Sequence, residues 1–515
     1  MYRGHPSFGL RRGALATVFA VVLAVGTSIP APFAVAQDNS KTLRVAITGY
    51  PPAGGNPFPS GAWPAAYTFT AIFDALTFVA LDGKIEAQLA THWQQVAPKI
   101  WRFFLRKNVI FSNGEPFDAE AALFTFKYVL SPEAAATNAR LELSSLVAAR
   151  ALDEHTIELE TREPNLFLDR ELSTLRFVAP RHWSTLGPAQ FARAPVGTGP
   201  FQVNRWTESK ILLDAFDGSW RAPKTQKLEL LNVTDMTGRL QALLSNRADI
   251  ALTISPQDEQ LLLSADMSLY PGIHSSVLTL AFVTEKPGPL RDRRVRLALN
   301  HAVDKQRLTK AFLNGVVDPS TQFAVPGAFG YDPTLAPYAY DPALAKRLLE
   351  EAGYPAGFSF VMEGALAGGT NSATIHQQVA SDLAQIGVRM EVRSIPIQQL
   401  SRNIHQFDWR GHAFEMNYGA APAMDALIAL RMHSCAWKAP WYCDRDIMPM
   451  IEDSMNARTL ADRETRTRAV MRRTHAQAPG LLLFPIVWFV GLGPHVEGFV
   501  MDGGHIKYDR ISVTR

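Results

Sequence analysis

Apolar residues recur along the chain at two spacings, the alternation of a β-strand and the three-to-four-residue repeat of an α-helix. Residues 43–47 alternate and predict a strand, whereas residues 65–76 carry apolar positions at helical spacing and predict a helix. The alternation around Trp101 and Phe103 predicts another strand. Asp118 stands directly before an apolar helical run, which is the place and residue type of a helix N-cap.

Strands and helices remain interleaved through the rest of the chain. The pattern predicts strands at 155–159, 227–233, 250–252, 277–283, 358–362 and 389–392, and helices at 236–246, 292–312, 343–352 and 375–386. The segment 292–312 contains no glycine or proline and predicts one long amphipathic helix. Such interleaving predicts an α/β fold. No repeat of fixed period is visible, which disfavours solenoids and propellers.

The N-terminal segment differs from the rest of the chain. Arg11 and Arg12 precede the uncharged apolar residues 14–25, and small residues end the segment at Ala36. A basic start, a short apolar stretch and a small-residue cleavage site predict a signal peptide over residues 1–36. A membrane anchor is the alternative, but a span needs about 20 apolar residues. We expect export to a Gram-negative periplasm, with the general secretory and twin-arginine routes both open.

Charge and length narrow the class of protein further. Lys and Arg number 51 against 48 Asp and Glu, and three of the arginines lie in the first 36 residues, where no acid occurs. The rest of the chain is therefore neutral, which gives no electrostatic case for binding nucleic acid. At roughly 150 residues per domain, the 515 residues predict about three domains.

The two cysteines and the histidines offer one further kind of chemistry. Cys435 and Cys443 are the only thiols, and a lone pair in an oxidising compartment predicts a disulfide that closes a short loop. A metal site that includes His433 is the alternative, but it lacks a fourth ligand. His405 and His412 belong to the same part of the chain, yet spacing alone does not show that they converge. No metal or other cofactor is expected.

The commonest enzyme motifs are absent from the sequence. It contains no Walker loop, no dinucleotide fingerprint, no HExxH helix and no GxSxG elbow. A glycosidase needs only two carboxylates, but no pair among the 48 acids stands out. The sequence therefore predicts a protein that is not an enzyme.

Six segments match the motifs of one family in the same order along the chain. The longest is FFLRKNVIFSNGEPFDAEAALFTFKYVL at 103–130, followed by PVGTGPF at 195–201 and AFVTEKPGPLRDRRVRLALNHAVDKQRL at 281–308. Shorter matches lie at 89–93, 247–250 and 340–354. Together these segments resemble the family 5 extracellular solute-binding proteins of ABC importers, the group that binds dipeptides, oligopeptides and nickel. The resemblance covers nearly all of the chain after residue 36.

The resemblance implies a two-lobed α/β periplasmic binding protein with hinge strands and an extra domain inserted in the first lobe. We place lobe one at residues 37–80, 195–280 and 484–515, the inserted domain at 81–194, and lobe two at 281–483. Family members are usually monomers, and we expect a monomer here. The disulfide is also implied, because dipeptide-binding members carry one at the corresponding place.

The family binds its ligand between the lobes, and the matching segments give candidate ligand-binding residues. Lobe one would contribute Tyr50 and Trp63, and Phe282 ends a strand that faces the ligand. The remaining candidates come from lobe two and are Gly368, Gly369, Thr370, Phe414, Asn417 and Tyr418.

The position of Asn417 departs from the family's peptide binders. They hold the ligand's free amino group with an aspartate at the place that Asn417 occupies here. They also use an arginine for the ligand's carboxylate in the stretch that reads GALAGGTNSAT at 364–374, which contains no cation. Because a buried ammonium needs an anionic partner, we expect free zwitterionic dipeptides to be poor ligands.

The resemblance implies a periplasmic protein that captures a small or short oligomeric solute and delivers it to an ABC importer permease in the inner membrane. Two alternatives stay open. One is the binding of nickel or a metal chelate, and the other is a ligand sensor that signals to a membrane receptor.

Overall fold

The computed structural model describes residues 42–59, 63–365 and 372–514, and for residues 63 and 64 it describes the backbone alone. The predicted signal peptide lies outside these residues. The longer strands are β1 (Thr42–Ile47), β2 (Thr77–Val79), β3 (Ile85–Ala87), β4 (Ala90–Ala97), β5 (Ile100–Leu105), β6 (Leu146–Asp153), β7 (Thr156–Thr161), β8 (Phe201–Trp206), β9 (Lys210–Ala215), β10 (Lys227–Asn232), β11 (Ile250–Ile254), β12 (Ser268–Phe282), β13 (Phe358–Ala365), β14 (Val388–Ile395), β15 (Ala413–Gly419) and β16 (Gly480–Leu492). Four two-residue strands follow, β17 (Val496–Glu497), β18 (Met501–Asp502), β19 (His505–Ile506) and β20 (Ser512–Val513).

Helices alternate with these strands, as the sequence predicts. They are α1 (Trp63–Ile72), α2 (Ala119–Leu130), α3 (Asn138–Glu142), α4 (Leu168–Glu171), α5 (Pro180–Phe191), α6 (Met236–Leu244), α7 (Glu259–Leu263), α8 (Arg293–Ala302), α9 (Lys305–Leu313), α10 (Pro342–Glu351), α11 (Ser372–Ala384), α12 (Ile397–Gln406), α13 (Ile447–Met455) and α14 (Leu460–Gln477). Asp118 caps α2 by accepting a hydrogen bond from the backbone N–H of Ala121, which confirms the predicted N-cap.

One large sheet runs through most of the chain. Its ten strands follow the order β14, β13, β15, β12, β16, β11, β1, β10, β9, β8. A separate four-stranded sheet, in the order β4, β5, β7, β6, is formed by residues between 90 and 161. This second sheet falls within the segment that the sequence predicts as an inserted domain.

The apolar side chains of the described residues pack into several cores, and the long strands β12 and β16 contribute to the three largest of them. The first core contains residues of β1 and α1 and of the four-stranded sheet, among them Leu43, Phe69 and Phe103. The second core contains residues from Leu240 onward, among them α8, β13 and α11. Strand β12 packs against the first core at Tyr270 and ends in the second core at Phe282. The paired strands β12 and β16 therefore link the two cores, as expected of hinge strands.

The single helix predicted over residues 292–312 is wrong, because the chain forms α8 and α9 with a break between them. Val303 is extended, and Asp304 caps α9 by accepting a hydrogen bond from the Arg307 backbone N–H. The carbonyl of Asn300, which a continuous helix would use for Asp304, accepts instead from Nζ of Lys305 at 2.5 Å. The Asp304 N–H donates to the carboxylate of Asp382 at 3.1 Å. The segment contains no glycine or proline. The break in the helix therefore results from contacts between distant residues.

The disulfide prediction is confirmed, because Cys435 and Cys443 are bonded to each other. Within the ranges that the structure describes, no helix is long and apolar enough to cross a membrane.

Candidate functional site

A cavity of about 560 Å³ lies between the first core and the second. From the side of the first core, α1, α3 and the segment after α4 line it, with Ala65, Ala66, Phe69, Asn138, Ser173 and Arg176. From the opposite side come α9, α11, β15 and β16, with Phe312, Leu313, Ile375, Glu415, Asn417 and Phe484. The volume and the mixture of apolar walls with a few polar groups are typical of a small-molecule site.

Paired strands β12 and β15 form one wall of this cavity. Alternate residues of β12 face it, namely His274, Ser276 and Leu278, and so do Glu415, Asn417 and Gly419 of β15. The register pairs Leu278 with Asn417 and Ser276 with Gly419. Because side chains of a strand alternate between the two faces of the sheet, this wall presents a carboxylate and an amide two residues apart.

Glu415 brings a nearly buried carboxylate to the wall. Its side chain is 8% exposed, and its Oε2 lies 3.0 Å from Nε2 of His376, whose side chain is 4% exposed. This distance suits an ion pair, but neither atom has a hydrogen bond of acceptable geometry with any described residue. His376 therefore adjoins the carboxylate without satisfying it.

Arg176 brings a guanidinium to the opposite side of the cavity. Its Nη1 donates to the carbonyl of Ser173 at 3.1 Å. Burial lowers the pKa of Arg176 to about 10, against a smaller opposing effect of Asp74. The group is still protonated at neutral pH, so the cavity contains a cation.

Two histidines of the lining are neutral at physiological pH. Burial lowers the pKa of His274 to about 3. Burial and, to a smaller extent, the positive charge of Arg176 lower the pKa of His505 to about 3 as well. These imidazoles supply neutral polar surface beside the guanidinium and add no charge.

The structure places Asn417, alone among the described candidates from the sequence, on the cavity wall. Phe282 and Phe414 are almost completely buried, Phe282 in the second core and Phe414 stacked on Trp409 at 3.9 Å between ring centres. Neither ring is part of the cavity lining, because Phe282 packs in the second core and Phe414 packs against Trp409, and their contact with a ligand stays a prediction.

Tyr418 and Tyr50 also lie away from the cavity lining. Tyr418 is buried, and its hydroxyl contacts Nδ1 of His433, which also accepts from Nε1 of Trp441 at 3.3 Å. The Tyr50 hydroxyl donates to the carbonyl of Leu230 at 2.9 Å, and its ring packs against Trp206. Both tyrosines therefore have structural partners within the protein, and their contact with a ligand stays a prediction.

The remaining candidates lie where the structure gives no side-chain description. Gly368, Gly369 and Thr370 fall outside the described residues, and only the backbone of Trp63 is described, at the start of α1. In residues 42–59, 63–365 and 372–514, no group of three or more His, Cys, Asp or Glu is arranged to hold a metal ion.

Sequence reasoning missed three charged residues of the cavity lining, Glu142, Arg176 and Glu415. Glu415 could have been found, because it lies two positions before Asn417 and a strand places such residues on the same face. Arg176 carries no local signal, since it follows α4 in a segment without regular structure. Its place in the cavity results from packing between distant parts of the chain.

Comparison with known proteins identifies the family. Residues 84–430 match the family model described as bacterial extracellular solute-binding proteins, family 5 middle. The glutathione-binding protein of Salmonella paratyphi A is 28% identical over 58% of this chain, which corresponds to 59% of that protein's length. Di/tripeptide-binding protein 2 of Pseudomonas aeruginosa is 27% identical, with 97% of each chain covered.

A solved structure shows the same fold. The periplasmic binding protein DppA from Helicobacter pylori, in complex with the peptide STSA, superposes with a TM-score of 0.75 and 19% identity. The superposition covers 92% of this chain and 98% of that one. The two-lobed α/β fold that the sequence predicts is thereby confirmed.

Proposed function

Because this chain belongs to the family 5 bacterial extracellular solute-binding proteins, we propose that it captures a solute in the cavity between its lobes and delivers it to an ABC importer permease. A family member of this kind is a binding protein and not an enzyme. The observation that carries the proposal is the cavity of about 560 Å³ between the two cores, with charged groups on both sides. A small or short oligomeric solute fits such a volume.

We propose a periplasmic location for the mature chain, residues 37–515. The N-terminal signal-peptide pattern supports it, and so does the periplasmic location named for relatives such as the nickel-binding protein of Escherichia coli. The disulfide between Cys435 and Cys443 is also typical of an oxidising compartment.

We also propose that the cargo is not a free dipeptide. Asn417 faces the cavity where a neutral amide cannot neutralise an ammonium group. Relatives are named for glutathione, nickel and di- or tripeptides, so the family admits cargoes of several chemistries. The ligand of this chain therefore depends on the residues that line its own cavity.

The proposal is tested by thermal unfolding of residues 37–515 with a solute library, followed by uptake of each hit. A solute at about 100 times its dissociation constant stabilises by roughly 2.7 kcal/mol, which gives a clear shift of the melting temperature. We expect at least one hit, and we expect cells that lack this gene to lose uptake of that solute. A hit whose uptake is unchanged in these cells would contradict delivery to an importer and favour signalling.

A further inference from the structure

The cavity lining contains three charged side chains, of which Glu142 lies 3.6 Å from Arg431, whereas Arg176 and Glu415 have no side-chain hydrogen bond to an opposite charge among the described residues. Within the described residues, the side-chain hydrogen bond of Arg176 goes to a neutral carbonyl, that of Ser173. Oε2 of Glu415 has no hydrogen bond of acceptable geometry there, although the residue is only 8% exposed. The two groups come from opposite sides of the cavity, Arg176 from the side of the first core and Glu415 from β15.

Two charged side chains in such an enclosed place are costly in free energy unless another group pairs with them. A buried charge without a partner is strongly destabilising, and a polar group removed from water needs a hydrogen bond. A ligand that carries an anionic group toward Arg176 and a basic group toward Glu415 would satisfy both. The neutral His274 and His505 contribute no competing charge between them.

The position of Glu415 also distinguishes this site from one built around residue 417. Two residues of a strand span about 7 Å, so a group bound at Glu415 lies that far along β15 from a group bound at Asn417. Glu415 is buried whereas Asn417 is exposed. The basic group of the cargo would therefore reach a more enclosed part of the wall than Asn417 occupies.

We propose, on the basis of the proposed solute-binding function, that Arg176 binds an anionic group of the cargo and Glu415 binds a basic group. The cargo is then a dipolar solute that carries both groups. His376 lies beside this carboxylate, with its Nε2 3.0 Å from Oε2 of Glu415.

The experiment measures binding by calorimetry with solutes that differ only in charge. Opines, free tripeptides and free dipeptides serve as dipolar probes, and N-acetylated, amidated and doubly blocked peptides remove the positive charge, the negative charge or both. We expect dipolar probes to bind at least tenfold more tightly than their blocked forms, and dipeptides to be the weakest dipolar class. Neutral probes that bind as tightly as dipolar ones would overturn the proposal.

Variants of Arg176 and Glu415 test whether each residue binds the charged group that is proposed for it. Glu415→Gln should weaken the binding of dipolar probes at least tenfold and leave the binding of N-acetylated probes unchanged. Arg176→Gln should weaken the binding of every probe that carries a carboxylate. Arg176→Lys should retain part of the affinity, which a purely structural role would not require. Glu391→Gln and Arg402→Gln, at exposed positions on β14 and α12, are the matched controls and should bind as wild type.

The outcomes separate this inference from the function on which it rests. Binding without any charge preference, or binding that survives both Gln variants, overturns the dipolar site and leaves solute capture intact. Failure of every probe and of every library solute to bind contradicts solute capture and the dipolar site together.

Discussion

At position 417 a single side chain decides whether the exposed part of the cavity wall can hold an ammonium group. Asn417 offers an amide, whereas a carboxylate there would provide a full negative charge within a partly enclosed site. Charged partners strengthen hydrogen bonds roughly twofold over neutral ones. We therefore expect the neutral amide of Asn417 to disfavour a cargo ammonium group at the exposed part of the wall.

Asn417→Asp should therefore create affinity for free dipeptides. We expect the dissociation constant for alanylalanine to fall at least tenfold relative to wild type, measured by calorimetry at neutral pH. Asn456→Asp, at an exposed position at the end of α13, is the control and should bind as wild type. Unchanged dipeptide affinity in the Asn417→Asp protein would show that this position does not meet the ligand.

Buried His433, close to the disulfide, makes the stability of the fold depend on pH. It is 1% exposed, and its Nδ1 accepts from Nε1–H of Trp441, which can only donate, so this nitrogen carries no proton. Burial lowers its pKa from 6.5 to about 3. Between about pH 3 and pH 6.5, His433 is protonated in the unfolded chain and neutral in the folded chain. The contribution of His433 to the free energy of unfolding is therefore fully present above pH 6.5 and is lost as the pH falls below that value.

The loss attributable to His433 should reach about 2 kcal/mol at pH 5. His433→Gln removes the titrating group, so its free energy of unfolding should fall less than that of wild type between pH 7.5 and 5, by about that amount. His405→Gln, at an exposed residue of α12, is the control and should follow wild type. Urea unfolding at both pH values measures the difference, and parallel curves for wild type and His433→Gln would refute it.

At the scale of helices and strands, local patterns predict most of the fold but not the points where distant residues interfere. Strands such as β1 and β5 follow from alternation, and α2 follows from its cap and its apolar face. The break between α8 and α9 does not follow, because it depends on Asp382, which comes from another helix. The cavity is likewise assembled from α1, α9, α11, β12 and β15, and no local pattern reveals which of their side chains meet.

The cap at this break should have a measurable effect on stability. Asp304→Ala removes the side chain that accepts from the Arg307 N–H, and loss of such a cap costs about 1 kcal/mol. Asp258→Ala is the matched control, because Asp258 precedes α7 without a side-chain capping bond. Urea unfolding should show the loss for Asp304→Ala and a smaller change for Asp258→Ala. Equal changes would mean that the cap does not stabilise the start of α9.

At the scale of the whole molecule, a group of contacts joins the predicted inserted domain to the predicted second lobe outside the cavity. Nη1 of Arg170 donates to the carbonyl of Ala423 at 3.1 Å, and the Phe167 ring meets Phe329 edge-on at 4.8 Å between centres. The Arg463 guanidinium lies 3.7 Å from the centre of the Phe167 ring. We expect opening of the predicted lobes to break these contacts, so that they would favour a closed conformation over an open one.

Arg170→Ala should therefore weaken ligand binding although Arg170 does not line the cavity. A hydrogen bond from a charged group is worth about 1.5–3 kcal/mol, so we expect an affinity loss of roughly ten- to a hundredfold for a solute found in the library screen. Arg162→Ala, at an exposed position beyond β7, is the control. Wild-type affinity in the Arg170→Ala protein would show that this contact does not contribute to closure.

The most direct test of the central claim, that the solute binds in the cavity between the lobes, is a calorimetric titration of three proteins with the tightest solute from the library. Ala66 lines the cavity from α1, so Ala66→Trp should fill it, whereas Ala189→Trp adds the same ring at an exposed position of α5. We predict one solute bound per chain with equal affinity for wild type and Ala189→Trp, and at least tenfold weaker binding for a folded Ala66→Trp protein. Unchanged binding by Ala66→Trp would contradict the account, because the solute would then be held outside this cavity.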